Sequence, residues 1–95
     1  VRVTVTATHI KNGIEQDSHH CMIADAIKAS YPEAQYILVD LQSIRFSDPK
    51  ARLRYVYFTP PTAQSNLLKF DQGEPVKPFA FTLNKPFVRT MGWHG

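Results

Sequence analysis

Residues 17 to 32, DSHHCMIADAIKASYP, set two of the four histidines and the one cysteine of the chain against the start of a helix-like stretch. Imidazole and thiol groups are the usual ligands of zinc. A thiol at a helix N-terminus is also a potential nucleophile, because the helix dipole favours the thiolate. The spacing argues against both. Neighbours on a helix point about 100° apart, so His19, His20 and Cys21 do not converge on one ion. His9 and His94 would join them only through the fold. A nucleophilic thiol further needs a placed base and an oxyanion site, and no pattern supplies them. A small buried cysteine packing the first helical turn, beside solvated histidines, accounts for the stretch. No metal ligand, catalytic residue or cofactor is therefore assigned.

The carboxylates Asp25, Asp40, Asp48, Asp71 and Glu74 are scattered over turns and helix surfaces. None forms a pair spaced for acid–base work. There is no glycine-rich phosphate loop, Ser-His-Asp set or metalloprotease motif, so an enzyme is not expected. The richest surface chemistry lies in SIRFS (43–47) and RLRYVYFT (52–59). Alternation predicts Ile44, Phe46, Val56 and Phe58 on a buried face, and Arg45, Leu53, Tyr55 and Tyr57 on the opposite one. It assigns Arg54 to the other face, which would set it at the sheet edge. Arg45, Arg54, Tyr55 and Tyr57 are the candidate binding residues. Tyrosine and arginine are hot-spot residues of protein interfaces, where they bury aromatic area and make charge-assisted hydrogen bonds. On an open sheet they also stack on single-stranded nucleic acid. RYVYF loosely resembles the aromatic strand of RNA-recognition domains but lacks its glycines. Plain cross-strand aromatic pairing is the third use.

These residues depend on the elements that carry them. VRVTVTATHI (1–10) alternates β-branched and polar residues and predicts a half-buried strand. The following KNG supplies a turn, since Asn-Gly tolerates positive φ. Asp17 or Ser18 is the expected N-cap of a helix with the stripe Ile23, Ala26, Ile27, Ser30 and Tyr31, which Pro32 ends. YILVD (36–40) has strand length, and SDPKA turns the hairpin. Pro60 and Pro61 open a second helix with the stripe Ala63, Leu67 and Phe70, closed by Gly73. PFAFTL (78–83) alternates as the last strand. The predicted fold is α+β: a mainly antiparallel sheet with two helices on one face, in a split β-α-β-like order β-α-β-β-(β)-α-β. Residues 1–83 form its single domain. Residues 84–95 are a C-terminal tail whose Phe87, Met91 and Trp93 dock onto the domain or a partner.

The chain has 95 residues, 43 % of them hydrophobic and 20 % charged, which fits one folded domain. One cysteine excludes an internal disulfide and suits a reducing, cytoplasmic setting. No apolar run has the length of a membrane span and no secretory leader is evident, so no membrane role is expected. The formal charge of +3 favours acidic partners without choosing between nucleic acid and protein.

HCMIADAI, VDLQSIRFSD, RYVYFTP and LLKFDQGEPVKPFAFTL together resemble a group of short accessory proteins from actinobacterial phages and prophages. The pattern is carried by Cys21, Ile23 and Ala24, by Phe70, Asp71 and Gly73, and by Pro78, Phe79 and Phe81, within residues 20 to 83. The resemblance implies a phage-encoded protein in the bacterial cytosol and supplies no catalytic residues. Such proteins often bind and block a host protein, including CRISPR or other defence machinery. The expectation is non-enzymatic binding of a host protein. Two rivals are direct binding of single-stranded nucleic acid and a small self-associating assembly subunit, a homo-oligomer built by edge pairing of VRVTVTATHI.

Overall fold

A computed structural model describes residues 1–90. The elements are β1 (Arg2–Val5), α1 (Ala7–Asn12), α2 (Met22–Ser30), β2 (Gln35–Val39), β3 (Ser43–Asp48), β4 (Leu53–Phe58), α3 (Pro61–Asp71), β5 (Phe79–Thr82) and β6 (Phe87–Thr90). The class is α+β, as the sequence predicts. The layout is different. The strands form two antiparallel sheets, a pair β1-β5 and a four-stranded sheet in the order β2-β3-β4-β6.

The strand predicted over 1–10 stops at Val5. Thr6 caps a short helix instead: its Oγ1 accepts the His9 N–H at 3.3 Å, and its own N–H donates to His9 Nδ1 at 3.1 Å. This reciprocal box satisfies two helix-end donors and overrides the alternation. Val3 and Val5 still point into the core, and β1 pairs with β5 through Val3↔Phe81. Neither Asn12 nor Gly13 takes a positive φ. Gly13 sits at φ −67° because of space, since a Cβ there would lie 2.5 Å from the Met22 nitrogen.

Helix α2 begins at Met22, and its N-cap is Cys21 rather than Asp17 or Ser18. It ends at Ser30, ahead of Pro32, and buries Met22, Ile23, Ala24, Ala26 and Ile27. Helix α3 starts with Pro61 in its first turn and buries Ala63, Leu67 and Phe70. It closes in a Schellman motif: Glu74 N–H donates to the Lys69 carbonyl at 2.8 Å, Gly73 N–H donates to the Phe70 carbonyl at 3.1 Å, and Gly73 takes φ +74°. The buried faces of α2 and α3 join Val3, Val5, Val39, Ile44, Phe46, Tyr57, Phe81 and Leu83 in one core.

The predicted tail is also revised. Phe87–Thr90 is a strand, paired antiparallel with β4 through Leu53↔Thr90, Arg54↔Arg89, Tyr55↔Val88 and Val56↔Phe87. Met91 and Trp93 lie outside the described residues.

Candidate functional site

The hairpin β3–β4 forms as the sequence predicts, but the two faces of β4 are exchanged. Four residues, Pro49 to Arg52, connect Asp48 to Leu53, and those two are partners. The register then pairs Ile44 with Tyr57, Phe46 with Tyr55, Arg45 with Val56 and Ser47 with Arg54. Opposed residues on antiparallel strands share a face, and a loop of one residue more or less would reverse the assignment. Tyr55 and Tyr57 therefore face the core. Tyr57 is buried and stacks on Phe46 at 5.7 Å between ring centroids, and Tyr55 meets the same ring at 5.6 Å. The two tyrosines belong to sheet packing. Arg45 and Arg54 are on the opposite, outer face.

That outer face gathers residues that alternation had buried or left in a tail. Leu38, Arg45, Val56 and Phe87 make one row across all four strands, and Ser47, Arg54 and Arg89 make the next. Phe58 is 77 % exposed and Phe87 is 61 % exposed, and their rings meet edge to face at 5.8 Å. Arg45, Arg54 and Arg89 line a shallow concavity of about 550 Å³ with Ser43, Val56 and Phe87. Arg89 escapes sequence reasoning, and Phe87 is read there only as a docking residue of a tail, because β6 is four residues long with no periodic signal. Only its pairing to β4 reveals them.

Arg54 is held, and among the described residues little neutralises the three guanidiniums. Arg54 Nη1 donates to Ser47 Oγ at 2.7 Å. Arg45 Nη2 lies 3.8 Å from Asp40 Oδ2, a loose contact, and its Nε is buried with no acceptor among the described residues. A buried, unsatisfied donor on a charged group costs about 1–3 kcal/mol or more. Arg54 and Arg89 stand directly opposite each other, a like-charge pairing that is itself unfavourable. The concavity is chemically suited to an oxyanion beside an aromatic wall.

The histidine–cysteine stretch does other work. Asp17 Oδ1 accepts the N–H groups of His19 and His20 at 3.0 and 3.1 Å, which holds its carboxyl below the usual range. His20 Nδ1 lies 3.2 Å from Asp17 Oδ2, and His19 Nδ1 lies 3.0 Å from the Ile37 carbonyl. Cys21 Sγ accepts the Ala24 N–H at 3.5 Å, and burial pushes the thiol pKa up. Desolvation thus outweighs the dipole that would favour a thiolate. Among the described residues no three His, Cys, Asp or Glu side chains converge as metal ligands. A concavity of about 470 Å³ is walled by Asp17, Asp40 and Asp71. Its carboxylates are bound to backbone: Asp40 accepts from Gln42 and Ser43, and Asp71 from Gln16. They order loops.

No described helix is long and apolar enough to cross a membrane. No protein-family model, curated protein or solved structure matches the chain.

Proposed function

We propose that this chain is a non-enzymatic binding module that docks a partner protein on the outer face of the four-stranded sheet. The observation that carries the reading is the exposed Phe58–Phe87 pair next to three clustered arginines. Aromatic anchors with adjacent guanidiniums make the apolar centre and charge-assisted rim of a protein interface. The cations are concentrated in two neighbouring rows, which suits an acidic side chain flanked by apolar ones. In the phage setting that the resemblance implies, the partner is a host protein in the bacterial cytosol, and blocking a defence component is the activity. The binding residues are Arg45, Arg54, Phe58, Phe87 and Arg89, with Tyr55 and Tyr57 as support from the inner face.

One observation favours a second reading. Among the described residues Arg54 and Arg89 face each other without a carboxylate partner, and a phosphate of single-stranded nucleic acid would relieve that repulsion while bases stacked on the phenylalanines.

The test is capture from an actinobacterial host lysate, followed by reconstitution with the purified captured protein. A stoichiometric complex lost on Phe58→Ala and Arg54→Ala supports the protein reading. Fluorescence anisotropy with labelled single-stranded oligonucleotides is the second arm. Affinity that falls steeply with salt, without a reconstituted protein complex, transfers the assignment to nucleic acid. A complex indifferent to both substitutions overturns the site.

A further inference from the structure

The two edges of the four-stranded sheet are finished differently. At β2 the edge is closed. Its pairing is interrupted between Gln35 and Leu38, where Tyr36 takes φ +52°. The 17–20 turn then covers the strand: Val39 N–H donates to the Ser18 carbonyl at 2.9 Å, and His19 Nδ1 meets the Ile37 carbonyl. At β6 there is no bulge, all four residues are exposed, and no described residue pairs with the outer edge. An open edge of unpaired N–H and C=O groups is a template for another strand.

We propose that β6 pairs with β6 of a second copy, antiparallel about a twofold axis through Val88. The residues of β6 select both the occupant and the register. A twofold normal to the sheet keeps outer side chains on the outer face, so it passes through a residue. Centring on Arg89 would oppose the two Arg89 guanidiniums. Centring on Phe87 would set Arg89 against Lys85 and Val88 against Pro86, which has no N–H to give. Centring on Val88 sets Val88 against its own copy on the inner face. It also sets Phe87 against Arg89 of the second copy, twice over, on the outer face. The first is an apolar pair and the second is a cation–π pair. Val88 is 50 % exposed and Phe87 is 61 % exposed in the single copy, so both have surface to cover.

The pairing joins two four-stranded sheets into one of eight. It brings the outer rows together, with Leu38, Arg45, Val56 and Phe87 running on into Arg89, Arg54 and Ser47 of the second copy. Because Pro86 bounds a short ladder, the dimer is weak and forms with rising concentration. The inference stands whether the outer face binds protein, nucleic acid or neither.

The test is Val88→Cys under mild oxidation, read on non-reducing gels. Cα atoms directly opposed on antiparallel strands are about 4.5–5.5 Å apart, within the span of a disulfide. Val88→Cys is expected to cross-link to a dimer, Arg89→Cys to stay largely monomeric, and the wild type not to cross-link, because Cys21 is buried. Sedimentation equilibrium supplies the second arm. Val88→Glu and Val88→Lys alone should each weaken self-association at least about tenfold, and their equal mixture should restore it. Circular dichroism of each variant separates lost pairing from lost fold. A wild type that stays monomeric to about 1 mM, equal cross-linking at 88 and 89, or a dimer indifferent to Val88→Glu would overturn the proposal.

Discussion

Arg54 and Arg89 are direct partners across β4 and β6, two arginines on one face of the sheet, and neither has a carboxylate partner among the described residues. Such a pairing works against stability, by up to about 1 kcal/mol when like charges oppose. Natural surfaces retain such costs where a ligand uses them. Arg89→Glu should therefore stabilise the dilute protein, since it turns repulsion into a cross-strand ion pair. The expected rise in Tm is about 4–8 °C for a domain of this size. High salt should shrink it, because the pair is near the surface. The same variant should lose its partner. Differential scanning calorimetry at two salt concentrations reads the first effect, and an unchanged or lowered Tm would remove the case for repulsion.

Tyr57 and Phe58 are neighbours with opposite fates. Tyr57 is 5 % exposed and stacked on Phe46, whereas Phe58 is 77 % exposed. Tyr57→Ala should cost about 3–5 kcal/mol, the range for deleting a buried aromatic ring. Phe58→Ala should stay within about 1 kcal/mol of the wild type and affect binding instead. Urea denaturation of the two variants checks the register itself. If Phe58→Ala were the destabilising one, the face assignment would be reversed.

The sequence carries α2, α3 and the hairpin plainly, because prolines, Gly73 and apolar spacing agree there, although Cys21 and not Asp17 or Ser18 caps α2. It does not carry the facing of β4. Leu53, Tyr55 and Tyr57 alternate with Val56 and Phe58, so both faces of that strand are apolar and neither marks the core. What decides is the count of residues in the Pro49–Arg52 turn, with Arg52 at φ +56°. Alternation has no access to that count. β1 was overextended for a similar reason: Thr6 and His9 keep the alternating pattern while capping a helix. β6 has no local signature and exists through its contact with β4. Two of the five residues of the candidate site, Arg45 and Arg54, were thus legible. Phe58, Phe87 and Arg89 depend on tertiary pairing.

Cys21 should behave as a structural thiol. It is 1 % exposed, and burial raises its pKa, so the thiolate is scarce at neutral pH. Modification by an aromatic disulfide reagent should be at least about 100-fold slower in the folded protein than in denaturant. Cys21→Ser should keep the cap on Ala24 N–H. Cys21→Val, with no acceptor, should lose about 0.5–1 kcal/mol. Rapid labelling of the native protein would reopen the thiol as a chemical site.

Tyr31 and Asp48 should shape the pH dependence of stability from both ends. The Tyr31 hydroxyl donates to Asp48 Oδ2 at 2.5 Å, and Ala51 N–H donates to Oδ1 at 3.1 Å. The Tyr31 bond first, and the Ala51 bond next, hold the Asp48 carboxyl below its ordinary range. The same bond to Asp48 pushes the Tyr31 phenol well above its own range. A lowered carboxyl contributes stability above its unfolded pKa of about 3.9, and that contribution is lost as pH falls through the folded value. A raised phenol contributes below its unfolded pKa of about 10, and that contribution is lost as pH climbs beyond it. Tyr31→Phe should flatten both arms. On the acid side the Ala51 bond and Asp17, also held low, leave a remainder, while Asp25, raised by burial, acts in the opposite sense. On the alkaline side Tyr57 and Cys21, both raised by burial, leave their own. The double variant Tyr31→Phe, Tyr57→Phe should therefore be flatter above about pH 10 than the single variant, with the Cys21 contribution remaining. Urea midpoints collected from acid to alkaline pH read all of these, and a Tyr31→Phe profile that parallels the wild type at both ends would show that this bond does not couple protonation to folding.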